Sequence, residues 1–173
     1  MKIDIRKARE EDFLAVHRFV SSCPPLEKYF EHFYKIMLRY FQNTCFIAEE
    51  GDDIVGFLMG FVSPVHENTY FLWQVGVSPM TQGKGVGKLL LQAAENYLKE
   101  IGIRRIEVTV DPENEPSLRL FRSFGYTNIS RQEGETVHVL ENLAVKDYYS
   151  PGRHFMLFEK LIRKENSQTQ LSY

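Results

Sequence analysis

A glycine-rich segment in the middle of the chain, VGVSPMTQGKGVGK from Val75 to Lys88, constrains the fold more than any other stretch. It follows an apolar run typical of a strand and precedes apolar residues at helical spacing. Alternate glycines remove the Cβ atoms that would hold an anion away from the backbone. The N–H groups at a helix start converge on one position, and Lys84 adds positive charge nearby. The segment therefore predicts a strand, loop and helix that bind a phosphate group.

Two common phosphate-binding motifs do not fit this spacing. A Walker loop requires Ser or Thr after its lysine, but Leu89 follows Lys88, and Gln82 stands where the first glycine is required. A dinucleotide fingerprint requires glycines at offsets of zero, two and five, whereas they lie here at zero, two and four. The remaining alternative is a tight turn whose glycines serve only helix packing.

Hydrophobic periodicity predicts a single mixed α/β domain over residues 1–163, followed by a polar segment at 164–173. The predicted strands are 3–5, 44–48, 54–62, 70–77, 106–110, 137–145 and 154–162. The predicted helices are 10–22, 26–40, 86–98 and 114–124. This order, β-α-α-β-β-β-α-β-α-β-β, favours one sheet with helices on both faces.

Composition excludes several functional classes. The net charge of −2 is not that of a nucleic-acid-binding protein. The longest apolar run, 57–62, is far too short to span a membrane. The first residues lack a signal-peptide pattern, and Cys23 and Cys45 have no metal-type spacing. We therefore expect a cytoplasmic protein with reduced thiols and no bound metal.

The segment Gln82–Gly87 resembles the pyrophosphate-binding motif of the GNAT N-acetyltransferase superfamily, which is Arg or Gln, two residues, Gly, one residue, then Gly or Ala. The element order resembles that superfamily over nearly the whole chain. The resemblance implies the acyl-CoA N-acyltransferase (GNAT) fold and acetyl-CoA as co-substrate. The residues that it implies for acetyl-CoA binding are Val75, Gly76, Val77, Gln82, Gly83, Lys84, Gly85, Val86, Gly87, Lys88, Asn114 and Ser117. For Asn114, a plain helix cap is a compatible alternative.

The proton donor that this resemblance implies is missing. Many GNAT enzymes carry a Tyr in the helix after the Asn, but this chain has Phe121 there. The nearest substitutes are Tyr148 and Tyr149, and we predict that Tyr149 protonates the leaving thiolate. Unassisted departure of the thiolate is the alternative. A backbone N–H near Val75 is the expected oxyanion donor.

Two local resemblances bear on the acceptor amine. The segments 23–27 and 71–75 are similar to the diaminobutyrate acetyltransferases of ectoine biosynthesis, which implies that Glu27 pairs with an ammonium group and Trp73 walls the pocket. A helix-capping Glu27 and a core Trp73 are the alternatives, and the C-terminal third departs from that family. The loop 146–153 instead resembles protein N-terminal acetyltransferases, in which paired tyrosines, here including Tyr148, hold the substrate.

The sequence thus predicts an N-acetyltransferase whose partners are acetyl-CoA and a primary amine. A small amine or (di)amino acid is the leading acceptor, and a protein N-terminus or lysine is the alternative. A non-catalytic sensor that binds coenzyme A is an alternative of another class. Self-association as a homodimer is left open.

Overall fold

The computed structural model describes residues 2–163, so the predicted polar segment 164–173 lies outside the described residues. The strands are β1 (Ile3–Lys7), β2 (Phe46–Glu50), β3 (Asp53–Val62), β4 (Thr69–Val77), β5 (Arg105–Val110), β6 (Thr127–Asn128), β7 (Thr136–Val139), β8 (Asn142–Ser150) and β9 (Arg153–Leu161). The helices are α1 (Phe13–Val20), α2 (Glu31–Phe41), α3 (Val86–Glu100), α4 (Glu115–Ser123) and α5 (Ser130–Glu133). Short 3-10 turns precede α1, β2 and α3.

The strands form one sheet in the order β1-β2-β3-β4-β5-β9-β8-β7, with β6 paired to β9. Within residues 2–163, β4 and β5 are the only parallel neighbours. Their pairing ends where Leu72 lies opposite Val108, although β4 continues to Val77. Because β4 stays paired with β3, and β5 with β9, the two strands separate and leave a cleft in the middle of the sheet.

A bulge in β4 changes which side chains face each layer. Met59 of β3 lies opposite Gln74 and Gly60 lies opposite Leu72, so Trp73 is an extra residue. Trp73 and Gln74 therefore point to the same face of the sheet, toward α2 and the chain between α1 and α2. The Trp73 ring lies 5.5 Å from that of Phe33 on α2, which is consistent with this orientation.

Helices cover both faces of the sheet and bury two separate cores. On one face α3 and α4 pack their apolar stripes, including Leu90 and Leu118, against β3, β4 and β5. On the other face α1 and α2 bury Val16 and Leu38 with Phe57. The predicted GNAT arrangement of a mixed sheet between helices is present.

The structure corrects two predicted elements. The second helix begins at Glu31 and not at residue 26, because Phe30 has extended backbone angles. Leu26, Glu27 and Tyr29 line the central cleft instead. The strand predicted at 137–145 is two strands, β7 and β8, which reverse at Leu140. Leu140 has a φ of 53°, which lies in the left-handed region. The turn was not predicted because Gly or Asn, and not Leu, marks such hairpin turns in a sequence.

Among the described residues, no helix combines the length and apolarity needed to cross a membrane.

Candidate active site

The glycine-rich loop delivers unsatisfied backbone donors to the start of α3. Gly83 and Gly85 have φ values of 82° and 79°, which few residues with a side chain adopt. The first helical hydrogen bond runs from the N–H of Leu89 to the carbonyl of Gly85. The N–H groups of Val86 to Lys88 therefore have no acceptor within the helix, and the helix dipole makes this end electropositive.

Lys84 makes a different contribution from the other loop residues. Its N–H donates to the carbonyl of Thr81 at 3.2 Å, so this donor is already used. Its Nζ lies 3.8 Å from a carboxylate oxygen of Glu50. Unlike Lys88, Lys84 does not line the cavity beside the loop.

A cavity of about 550 Å³, which we call the loop cleft, lies between the glycine loop, the end of β4 and the start of α4. Every residue predicted to bind acetyl-CoA lines it except Lys84. Asn114 caps α4, with its Oδ1 accepting from the N–H of Ser117 at 3.2 Å. The structure thus brings the predicted residues together, and the capping alternative for Asn114 describes the same geometry.

The separated edge of β4 presents backbone groups to this cleft. The N–H of Ser78 donates to the backbone carbonyl of Val55 on β3. In an antiparallel pair, only every second residue of a strand bonds to the same neighbouring strand. The polar groups of Gly76 therefore face β3, and those of Val75 and Val77 face the cleft. The thiol of Cys23 lies 3.7 Å from the carbonyl oxygen of Val77, on that open side.

A second cavity, of about 450 Å³, lies between the separated strands, and we call it the strand pocket. It adjoins the loop cleft, because the two cavities share lining residues: Pro25, Leu26, Val75, Asn114 and Ser117. Its walls include Trp73, Phe121 and Tyr149. Trp73 serves both the pocket wall and the aromatic packing around α2.

Tyr149 presents its hydroxyl to the strand pocket. The hydroxyl lies 2.7 Å from Oγ1 of Thr109, on β5 just beyond the point where the strands separate. Burial raises the pKa of Tyr149 above its ordinary value, and the hydrogen bond with Thr109 opposes this in part. Tyr149 is therefore protonated at neutral pH. The hydroxyl can either donate or accept.

Tyr148 does not line either cavity. Its ring packs edge-on against that of Tyr149, with 4.8 Å between centroids. Burial raises the pKa of Tyr148 to about 12. Tyr148 therefore packs against Tyr149 and does not line the cavity in which the sequence predicted it to hold the substrate.

Charged groups from opposite rims meet at the strand pocket. A carboxylate oxygen of Glu27 lies 3.5 Å from a guanidinium nitrogen of Arg153, and the hydroxyl of Tyr29 donates to the same oxygen at 3.4 Å. The backbone carbonyl of Glu27 accepts from Nε2 of Gln74 at 2.6 Å. The other amide atom, Oε1, is buried and has no hydrogen-bond partner among the described residues.

Sequence reasoning missed Tyr29, Gln74, Thr109 and Arg153. Only Gln74 gave a signal, as the one amide side chain in the apolar run 70–77. The others reach the pocket from separate segments, and no spacing along the chain indicates that.

The sheet opens between two parallel strands beside a helix start with free amides, an arrangement that can hold a phosphate-bearing carrier along the open strand edge. Residues 6–126 match the model of the acetyltransferase (GNAT) family. The chain belongs to that family, which confirms the predicted resemblance and fold.

Two curated relatives belong to one group within this family. L-2,4-diaminobutyric acid acetyltransferase of Halomonas elongata is 36% identical over 120 residues, or 68% of this chain and 62% of that protein. The enzyme of the same name from Vibrio cholerae is 32% identical over 132 residues, or 75% of this chain and 72% of that protein. The chain thus matches less than two thirds of the length of the Halomonas relative. The predicted resemblance to diaminobutyrate acetyltransferases is confirmed.

Two solved structures are informative. Diaminobutyrate acetyltransferase of Paenibacillus lautus, in complex with its substrate L-2,4-diaminobutyric acid and coenzyme A, is 27% identical, with a TM-score of 0.69 over 91% of this chain and 93% of that one. Ard1 of Thermoplasma volcanium has a TM-score of 0.77 over 95% of this chain and 100% of that one. At 16% identity, the likeness to Ard1 shows the fold alone.

Proposed function

We propose that this protein is an N-acetyltransferase that transfers the acetyl group of acetyl-CoA to an amino group of a small diamino acid. One observation carries the proposal: the loop cleft, with its free helix amides, adjoins a strand pocket that contains Glu27, Trp73 and Tyr149. A donor held along β4 would place its reactive end at the junction of the two cavities. The diaminobutyrate acetyltransferase relatives support the acceptor class.

The loop cleft fits the diphosphate and pantetheine arm of acetyl-CoA. The amides of Val86, Gly87 and Lys88 supply donors for phosphate oxygens, and Gly83 and Gly85 keep the approach free of side chains. Val75 and Val77 offer backbone groups along the open edge of β4, where an extended amide arm can bond like an additional strand. When bound, acetyl-CoA supplies an activated thioester.

The strand pocket fits an ammonium-bearing acceptor. The carboxylate of Glu27 is a partner for an ammonium group, and the Trp73 ring offers a face for a cation. Orientation of the amine against the thioester is the main requirement, because the acyl group is already activated. A side-chain-type amine must also lose a proton, which costs about 4 to 5 kcal/mol at pH 7.

Tyr149 is the proton donor that we propose for the departing thiolate. Its hydroxyl is protonated at neutral pH and is held by Thr109 at the point where the strands separate. Phe121 lines the same pocket at the position where many GNAT enzymes carry tyrosine, and its ring has no proton to donate. The proposed role therefore moves from α4 to β8.

The proposal is tested by a thiol-release assay with the full chain and acetyl-CoA. We expect L-2,4-diaminobutyrate to support release of coenzyme A with a kcat/KM about 100-fold or more above that for short peptides with a free N-terminus. Equal or better activity with peptides would favour the N-terminal acetyltransferase alternative. Binding of coenzyme A with no release for any amine would favour the sensor alternative and overturn the proposal. Cytoplasmic location remains a prediction of the sequence, and homodimer formation remains open.

A further inference from the structure

Arg153 occupies a defined position at the strand pocket, and no catalytic requirement described above explains it. It begins β9 directly after the turn that reverses the chain from β8, where Ser150 pairs with it. Its guanidinium carbon lies 6.0 Å from the ring centre of Tyr149 and 5.7 Å from that of Phe155. Both distances allow cation–π attraction, which holds the guanidinium beside the proposed proton donor.

The Arg153 guanidinium has N–H donors that make no hydrogen bond within the described residues. Its one ion-pair partner in the part of the chain that the structure describes is Glu27, at 3.5 Å, and no hydrogen bond from the guanidinium is present there. The two side chains are 52% and 57% exposed, so water screens the pair and its opening costs little. A planar guanidinium can bind a carboxylate through two parallel hydrogen bonds, which a lysine cannot reproduce.

The charges of the strand pocket complement one kind of molecule. Its described lining contains one cationic side chain, Arg153, and two carboxylates, Glu27 and Asp111. A diamino acid at neutral pH carries two ammonium groups and one carboxylate, the opposite set. A plain diamine would leave Arg153 without a partner, and a peptide N-terminus has no carboxylate beside its amine.

We propose that Arg153 binds the carboxylate of the acceptor and thereby selects a free amino acid over a diamine or a peptide. The acceptor carboxylate takes the place of Glu27 at Arg153, and Glu27 pairs with the neighbouring ammonium group. The distal amine then extends toward Val75, where the two cavities meet. This assignment rests on the proposed function and names the feature of the substrate that the pocket recognises.

The test compares two acceptors that differ only in the carboxylate. L-2,4-diaminobutyrate and 1,3-diaminopropane have the same spacing between amines. We expect kcat/KM for diaminobutyrate to exceed that for the diamine by about 10- to 100-fold, as expected for loss of hydrogen bonds to a charged group. Arg153→Gln should lose about that factor with diaminobutyrate and stay within about twofold with the diamine. Arg153→Lys should recover part of the loss.

A matched control is Arg131→Gln, which removes an exposed arginine outside both cavities and should leave both rates unchanged. Equal losses with both acceptors in Arg153→Gln, or no preference in the unaltered protein, would overturn the assignment.

Calorimetry separates this proposal from the proposed function. With coenzyme A present, each acceptor is titrated into the unaltered protein and into Arg153→Gln. If the variant binds diaminobutyrate more weakly but binds the diamine as the unaltered protein does, the carboxylate site is supported even if no acetyl transfer occurs. Unchanged binding of diaminobutyrate, or its absence in the unaltered protein, would overturn it.

Discussion

The Tyr149 hydroxyl lies 2.7 Å from Oγ1 of Thr109, and this contact joins the end of β8 to β5 near the point where β5 separates from β4. This contact fixes a protonated phenol at the wall of the strand pocket. Tyr149→Phe should therefore lower kcat by about 100-fold or more, because general-acid assistance is lost while the ring packing is kept. Steady-state kinetics at saturating amine would measure this.

A second substitution makes that experiment specific. In the Tyr149→Phe background, Phe121→Tyr restores a phenol to the same pocket and should recover part of kcat. Tyr40→Phe alters an exposed tyrosine on α2 and serves as the control. An unchanged kcat in Tyr149→Phe would show that the thiolate leaves without this proton donor.

Gln74 holds the chain between α1 and α2 against β4 through its 2.6 Å hydrogen bond to the Glu27 carbonyl. Gln74→Leu keeps the size of the side chain but removes that bond, so Glu27 should lose its fixed position. We expect the KM for the amine to rise about fivefold, and the KM for acetyl-CoA to stay unchanged. Gln92→Leu, on the exposed side of α3, is the control. An increase in the KM for acetyl-CoA alone would contradict this role.

The two lysines of the loop should behave differently. Lys88 lines the loop cleft, whereas Lys84 lies beside Glu50. Lys88→Ala should weaken coenzyme A binding by about fivefold at low salt and less at high salt, and Lys84→Ala by less than about twofold. Isothermal titration at two salt concentrations would measure both. Equal losses for the two variants would show that the Lys84 side chain also reaches the cofactor.

A partly buried charge network away from the site predicts how stability depends on pH. Burial alone would raise the pKa of Asp12, but hydrogen bonds from Arg6 and from the N–H of Arg9 outweigh it, so the pKa lies below its usual value. Because the folded-state pKa is lowered, the stabilisation is present above the unfolded pKa, about 3.9, and is lost as pH falls through the folded value.

Asp12→Asn should therefore reduce the free energy of unfolding by about 2 kcal/mol at pH 7, and the difference should shrink as the pH falls below about 4. Urea unfolding of both proteins at pH 7 and at a pH below about 4 would measure this difference in the free energy of unfolding. Asp52→Asn, in the exposed turn between β2 and β3, should have no such effect. A deficit in Asp12→Asn that is equal at both pH values would contradict the ionic origin.

Much of the fold follows from local patterns. The helix 86–100 and the strand 69–77 were predictable because each has a long apolar period bounded by glycine, proline or asparagine. The reversal at Leu140 was not, since leucine is not a residue that marks a left-handed turn. The start of α2 was misplaced because Leu26 and Tyr29 continue its apolar spacing but line the strand pocket.

One half of the candidate site could be predicted from the sequence and the other half could not. The loop cleft is built from contiguous sequence, so its spacing indicates its chemistry. The strand pocket depends on contacts such as Glu27 with Arg153, which lie far apart in the chain and are joined only by the fold. The bulge at Trp73, which places Gln74 beside it on one face, also needs the register of β3 and cannot be inferred from β4 alone.

The central claim is that backbone amides at the start of α3 hold the diphosphate of coenzyme A. Titration calorimetry with the double variant Gly83→Val and Gly85→Val tests it, because valine is strained at these positive φ values and its side chain would fill the approach. Gly51→Val with Gly102→Val imposes similar backbone strain at φ values of 67° and 87°, away from the loop cleft, and is the control. We predict that the loop variant loses coenzyme A binding by about 100-fold or more while the control binds normally. Normal binding in the folded loop variant, or equal loss in the control, would contradict the claim.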